Sequence, residues 1–324
     1  MIAKIREAIF IMNDIRKVAI IIPIYHPDEK FCELLKMLHV QKDVSFDLYI
    51  FDSGSKRELY EKYLKGLTYA IIDVDPRHFN HGGTRQEAAE RCHQYPYLIY
   101  MTQDAIPANE NSLRCLLEAF SDNKVGCAYG RQLPHKDASI LAARARLFNY
   151  PSESCIKQLS DVEKLGIKVS FISDTFAAYR QNALASVGGF PANVILGEDT
   201  YVASKMILSG WKVAYCADAQ VYHSHNYSLM QEFKRYFDTG VFHVREKWIR
   251  ESFGQAESEG KKFVLDELKY FTKRNPFCIP GIIMRNIIKL LGYKLGLKEI
   301  YLPLGLKRKV SMMPLYWRGK NLHE

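Results

Sequence analysis

Apolar residues fall along this chain in two rhythms. Short, nearly continuous runs rich in β-branched residues occur at Val18–Ile24 (VAIIIPI), Phe46–Phe51 (FDLYIF), Tyr69–Val74 (YAIIDV), Leu98–Thr102 and Val125–Tyr129. Runs of this length and composition predict strands covered on both faces. Between them, apolar positions recur three and four apart. Phe31, Leu34, Leu35 and Leu38 follow a capping Asp28 and predict a helix to about Val40. Further helices are expected near Arg57–Leu64, from a Thr84 cap to about Gln94, and over Asn109–Phe120. Strand and helix alternate through the first ~130 residues, which predicts an α/β fold with a doubly wound, mostly parallel sheet.

The stretch Gln132–Lys168 is less regular, carries Arg144 and Arg146, and is expected to be a mobile loop over a site. Val169–Tyr179 is expected to be a strand and Gln181–Val187 a short helix. Gly197-Glu198-Asp199 opens a helix to about Ser209, and strand returns at Val213–Tyr215 and Val221–His225. Leu229, Phe233, Gly240, Val244 and Trp248 then fall at helical spacing and predict a long amphipathic helix, with a polar junction at Gln255–Lys262. From Pro276 on, Ile282, Ile283, Ile287, Ile288, Leu290 and Leu291 are interleaved with Arg285 and Lys289. Lys294, Lys298, Lys307, Arg308, Lys309, Arg318 and Lys320 follow, against only Glu299 and Glu324. Cations, an apolar face and the rings of Tyr301, Tyr316 and Trp317 together predict a helix lying on an anionic membrane. The alternative is a packed helix with a solvated basic edge. The expected organisation is an N-terminal segment 1–17, a domain over 18–228 and a helical region 229–324, whose part from about 276 meets the membrane.

Composition narrows the partners. Hydrophobic residues make up 48% of the 324 and charged ones 25%, as in globular proteins. The net charge of +9 asks for an anionic partner. No nucleic-acid motif accompanies the charge, so nucleic acid is not expected. The seven cysteines are scattered without zinc spacing, which suits reduced thiols in the cytoplasm. Lys4, Arg6, Asp14, Arg16 and Lys17 break Met1–Lys17, so no signal peptide is expected there. No apolar run is long enough to span a bilayer.

Candidate chemistry gathers at the ends of the expected strands, where ligands of open α/β sheets bind. Thr102-Gln103-Asp104 ends the fourth run, and a carboxylate there suits a divalent cation, or else caps the next helix. In Phe79–Arg85 (FNHGGTR), paired glycines permit close approach, the helix start suits an anion, and Arg85 suits phosphate. The alternative is an ordinary Gly-Gly loop. Glu198 and Asp199 in a first turn also complement the helix dipole. Strand alternation puts His223 and His225 on one side, as metal ligands or as structural residues.

In order, the phrases FNHGGTR, TQDAIP, GEDTYVASKMILSGWKVAY and VYHSHNYS resemble the family 2 glycosyltransferases, which have the GT-A nucleotide-sugar fold. The likeness covers about Val18–Ser228 and leans to the bacterial rhamnosyltransferase branch. The resemblance implies a role for each residue that matches. Asp52 would contact the nucleotide base. Asn80, Gly82, Gly83 and Arg85 would form the donor-binding loop, joined by Gln103, Arg131 and Glu198. Asp104 matches the last acid of the DxD motif, which holds Mg²⁺ or Mn²⁺. Thr102 and Gln103 stand where many relatives have an earlier acid, so metal binding would be weaker, or shared with His223. Asp199 matches the catalytic base. The implied reaction is inverting transfer of L-rhamnose from dTDP-β-L-rhamnose to a polyprenyl-diphosphate-linked glycan in cell-surface polysaccharide synthesis. The enzyme would be cytoplasmic, peripheral on the inner face of the plasma membrane. Two alternatives stay open, a UDP-sugar donor and a catalytically degenerate membrane-bound scaffold. A nucleotidylyltransferase is disfavoured, because Pro23–Pro27 stands where its Gly-rich signature belongs. The acceptor sugar, the linkage and a homo-oligomeric state stay open.

Overall fold

The computed structural model of the chain describes residues 18–255 and 257–318. The expected segment 1–17 and the basic Lys320 lie outside them. The chain divides into two units. The first takes in the chain up to Asp161, Val169–Ala192 and Glu198–Ser224; the second takes in Val162–Lys168, Asn193–Gly197 and the chain from His225 on.

In the first unit the apolar runs become the centre of one sheet. Strands β1 (Val18–Ile24), β2 (Phe46–Asp52), β3 (Tyr69–Asp73) and β4 (Tyr97–Met101) are parallel, in the order β3-β2-β1-β4. Nearly every residue of β1 and all of β4 are buried, as expected of strands covered on both faces. Asp28 caps α1 (Glu29–His39) by accepting from the backbone N–H of Lys30 at 3.0 Å. That helix buries Phe31, Leu34, Leu35 and Leu38 against Ile20, Ile22 and Ile24. Each such side chain contributes roughly 2 kcal/mol.

Beyond β4 the sheet is mixed. Strand β8 (Phe176–Arg180) runs antiparallel to β4 and to β6 (Val125–Leu133), and β9 (Lys212–Tyr222) runs parallel to β6. The short β5 (Ile106–Pro107) and β7 (Cys155–Lys157) pair antiparallel with β9. Strands β6 and β9 therefore run in the direction of the first four, and only β8 and the short β5 and β7 run against them, so the sheet is mostly parallel as expected.

Several local expectations change. Two 3₁₀ turns, Arg57–Leu59 and Glu61–Tyr63, replace the expected helix. Helix α2 (His81–Arg91) is capped by Asn80, which accepts from Gly83 N at 2.6 Å, so Thr84 lies inside it. Helix α3 (Ser112–Leu117) is shorter than its pattern suggested. Gln132–Lys168 is not a plain loop: β6 runs on to Leu133, α4 (Ile140–Asn149) starts behind the Ser139 cap, and β7 joins the sheet. Strand β8 begins only at Phe176, and β9 is one strand across an expected gap. Helix α5 (Gln181–Ser186) and helix α6 (Glu198–Leu208) fall where expected.

The second unit is helical: α7 (Leu229–Arg245), α8 (Lys247–Phe253), α9 (Glu257–Arg274), α10 (Ile279–Leu297) and α11 (Leu304–Val310). Ser228 and Gln231 close a capping box on α7. Helix α9 occupies much of the expected polar junction. Helices α7 and α10 touch backbone to backbone. A Cβ on Gly296 would sit 2.1 Å from Phe237 O, and one on Gly292 2.3 Å from Phe233 O. Only glycine fits there. Glu232 of α7 receives Arg285 at 2.6 Å and Lys289 at 3.2 Å. Buried Glu299 receives Arg245 at 2.7 Å and also Lys307. Three cations that the sequence offered to a membrane, Arg285, Lys289 and Lys307, are thus committed inside the unit. Among the described residues no helix is long and apolar enough to cross a membrane.

Candidate active site

The parallel register sets Ile24 level with Asp52, so the strand ends that carry candidate chemistry lie side by side. Asp52 is 2% exposed. Its Oδ1 accepts from Gly54 N at 3.1 Å and Ser55 N at 2.8 Å, and its Oδ2 from the Tyr60 hydroxyl at 2.8 Å. Asp52 therefore builds the Asp-Ser-Gly-Ser turn. Gln103 ties the tip of β4 to the loop after β1: its Oε1 accepts from Tyr25 N at 2.8 Å, and its Nε2 donates to Tyr25 O at 3.2 Å.

Asp104 follows in the same turn. The carbonyl of Asp104 accepts from His135 Nε2 at 3.1 Å. Its carboxylate Oδ2 lies 3.5 Å from Nε2 of His223, which is buried just past the end of β9. The backbone N–H of His223 donates to Leu133 O at 2.8 Å, which continues the β6–β9 pairing and holds the residue beside Asp104. A carboxylate oxygen and an imidazole nitrogen at this separation form a donor set that fits a divalent cation. The mixed oxygen and nitrogen donors suit Mn²⁺ better than Mg²⁺, which prefers oxygen and water.

A second cluster lies on α2, α6 and the loop before β8. Arg85 is 5% exposed. Its Nη1 donates to Glu198 Oε1 at 2.6 Å, and its Nε lies 2.8 Å from Asp174 Oδ2. Asp174 Oδ1 accepts from the Tyr179 hydroxyl at 2.6 Å. Asp199, half-buried, accepts from Thr200 N at 2.6 Å and Asp174 N at 3.2 Å. One guanidinium therefore serves a group of three carboxyls. Burial works against the Glu198 charge, but Arg85 and His81 outweigh it and hold that carboxyl below its ordinary value. Burial, and then the Glu198 charge, push Asp199 up to about 6. A carboxylate poised there takes a proton near neutral pH more readily than an ordinary one.

The loop Ser173–Thr175 joins the two clusters. Ser173 Oγ accepts from Gln132 Nε2 at 3.0 Å, Asp174 N donates to Asp199, and Thr175 O accepts from Thr102 N at 3.2 Å. The Asp104–His223 pair and the Asp199 carboxylate are thus braced by the same three residues.

Several of the residues that the sequence singled out also have partners within the protein. Arg85 is enclosed by Glu198, Asp174 and the His81 carbonyl. Glu198 is the ion-pair partner of Arg85. Gly82 is required by packing: a Cβ would sit 1.9 Å from the Pro191 carbonyl. Gly83 donates its N–H to Asn80, whose Nδ2 donates to Ala192 O at 2.7 Å. Arg131 donates through Nε to Tyr150 O at 3.1 Å. Sequence reasoning missed Asp174, Tyr179 and Gln132. Asp174 and Gln132 carried one faint signal, polar side chains beside apolar strands.

The family model that matches is Glycosyl transferase family 2, over residues 19–188. The chain is 44% identical over 303 residues to the O-antigen chain rhamnosyltransferase RfbN of Salmonella typhimurium, covering 94% of this chain and 96% of that one. It is also 44% identical to the O-antigen chain rhamnosyltransferase WbaN of Salmonella anatum, covering 93% and 95%. Among solved structures it is similar to the mannosyltransferase PcManGT of Pyrobaculum calidifontis in complex with GDP-Man and Mn²⁺. There the TM-score is 0.58 at 13% identity, covering 87% of each chain. It is also similar to TarS of S. aureus in complex with UDP-GlcNAc, with a TM-score of 0.55 at 14% identity, covering 91% and 84%. These likenesses place the fold among the GT-A glycosyltransferases.

Proposed function

The chain belongs to glycosyl transferase family 2, and on that premise we propose that it transfers L-rhamnose from dTDP-β-L-rhamnose, with inversion, to a lipid-linked saccharide during O-antigen synthesis. The choice of rhamnose is supported by the two relatives at 44% identity, both named O-antigen chain rhamnosyltransferases. The chemistry rests above all on Asp199, a half-buried carboxylate held by two backbone N–H groups with its affinity for a proton raised. Asp199 takes the proton of the acceptor hydroxyl. That oxygen bonds to the anomeric carbon as the bond to the diphosphate breaks, and dTDP leaves with the electron pair. Asp104 and His223 would hold a divalent cation, Mn²⁺ by the chemistry of the donor set. When bound, such an ion supplies charge stabilisation for the departing diphosphate. Gln103 and the Asp52 turn shape the donor side of the site. The test is transfer itself. With dTDP-β-L-rhamnose, Mn²⁺ and a polyprenyl-diphosphate-linked saccharide, an α-L-rhamnoside is expected, and a β-linked product would remove the inverting mechanism.

The proposed acceptor carries a lipid, and the second unit has a surface suited to its membrane. Ile283, Met284, Ile287, Leu290 and Leu291 form an exposed stripe along α10 at helical spacing, with Phe277, Ile300 and Tyr301 exposed near its ends. Lys273, Arg274, Lys294, Lys298, Arg308 and Lys309 are exposed in the same segment. The sole acid between Lys269 and Arg318 is Glu299, buried in ion pairs. Each cation at an anionic surface contributes about 1 kcal/mol. The protein is expected to sediment with vesicles containing phosphatidylglycerol. The pair Ile287→Glu and Leu291→Glu, which replaces exposed residues, should lower that binding at least about tenfold. Unchanged binding would remove the membrane face.

A further inference from the structure

Gln132 lies in β6, 1% exposed, at the centre of a buried hydrogen-bond network. Its Oε1 accepts from Nη1 of Arg146, which lies on α4. Its Nε2 donates to Ser173 Oγ at 3.0 Å. Its Oε1 also lies 2.9 Å from Nδ1 of His223. Each orientation in this chain follows from the one before it. A guanidinium only donates, so the amide must turn its oxygen, not its nitrogen, toward Arg146. The same oxygen faces His223, so His223 Nδ1 must be the donor there. The proton of the neutral imidazole is then on Nδ1, and the lone pair is on Nε2. Nε2 is the nitrogen that faces Asp104 Oδ2 at 3.5 Å.

We infer that Gln132, itself oriented by Arg146, is the positioning residue that makes His223 a metal ligand, by fixing the tautomer that directs a lone pair at the cation site beside Asp104. The inference rests on the reading that Asp104 and His223 hold a divalent cation. A ligating histidine commonly donates its other ring N–H to an oxygen that orients the ring, and loss of that oxygen costs about 10–100-fold in metal affinity. Here the oxygen is an amide whose own direction is set from α4, 14 residues further along the chain. The helix that replaces the expected loop thereby reaches the metal site without touching the metal.

The network makes two measurable statements about the full-length protein. Without metal, the nitrogen shifts of His223 in a long-range ¹H–¹⁵N correlation should report the Nδ1–H tautomer. Gln132→Leu removes the acceptor and should move those signals toward the Nε2–H form. Mn²⁺ affinity, read from the loss of the free-ion electron paramagnetic resonance signal in the presence of dTDP, should fall about tenfold or more in Gln132→Leu. Arg146→Met, at a half-buried helical position that folding tolerates better, should weaken Mn²⁺ binding less. The double variant should be no weaker than Gln132→Leu alone, because Arg146 acts through Gln132. His223→Ala separates the two readings. If His223→Ala leaves Mn²⁺ affinity unchanged, His223 is not a ligand and the metal reading fails. If His223→Ala abolishes binding while Gln132→Leu and Arg146→Met leave affinity and tautomer as they were, the metal reading stands and the positioning role of Gln132 is overturned.

Discussion

Replacing Asp199 with asparagine is expected to lower turnover about a thousandfold, within the range a positioned general base contributes. The substitution keeps the shape of the side chain and one acceptor oxygen. The amide nitrogen would then face one of the two N–H groups, from Thr200 or Asp174, that now donate to the carboxylate. That conflict costs about 1–2 kcal/mol of stability, so the variant should fold. Donor affinity, read by calorimetry with the nucleotide diphosphate, should stay within about threefold, because the base acts on the acceptor hydroxyl. The pH profile sharpens the test. The base must be ionised to act, and burial beside Glu198 raises its pKa to about 6. Wild-type kcat should therefore rise with pH through about 6 and fall away below it, and the variant's residual rate should lack that limb. Near-normal turnover in the variant would end the assignment.

Replacing Arg85 gives the second large effect and separates two roles for one residue. Arg85→Met leaves Glu198 and Asp174 without their cation in a buried setting. Breaking a buried ion pair from one side costs about 3–5 kcal/mol, so a large drop in thermal stability is expected. Arg85→Lys keeps the charge but not the two-pronged geometry, and should fold. Its kcat should fall about a hundredfold, because Glu198, Asp174 and therefore Asp199 lose their alignment. Its donor KM should hardly move. A raised donor KM with kcat preserved would instead put the guanidinium on the phosphates, where the sequence alone suggested it.

The contrast at Arg85 shows how far sequence reasoning reached. Runs such as VAIIIPI at Val18–Ile24 declare their burial locally, so β1 and its neighbours were legible, as was α1 with its four core residues. The phrases around Gly82, Asp104, Glu198 and His223 were legible together as the mark of family 2. What the sequence could not convey was pairing at a distance. Arg85 and Glu198 are 113 residues apart, and nothing in the local spacing of either names the other. Asp174 passed unnoticed inside the strand expected over Val169–Tyr179, because its value lies in the arginine and tyrosine it meets after folding. The antiparallel run β4-β8-β6 was missed for the same reason, since periodicity reports burial and not direction. Arg285, Lys289 and Lys307 looked free because the sequence did not show that Glu232 and Glu299 would receive them. Gln132 to Lys168 looked like a loop because α4 has no fully buried residue and hence a weak apolar rhythm.

The most direct test of the whole reading is one transfer reaction run across four donors. Purified protein is given dTDP-β-L-rhamnose, UDP-glucose, UDP-N-acetylglucosamine or GDP-mannose, with a lipid-linked acceptor and either Mn²⁺ or a chelator, and release of the nucleotide diphosphate is measured. Release is expected from dTDP-rhamnose alone, dependent on Mn²⁺ and on the acceptor. Release from a UDP-sugar in its place would contradict the rhamnosyl assignment, and release from none of the four would contradict catalysis itself.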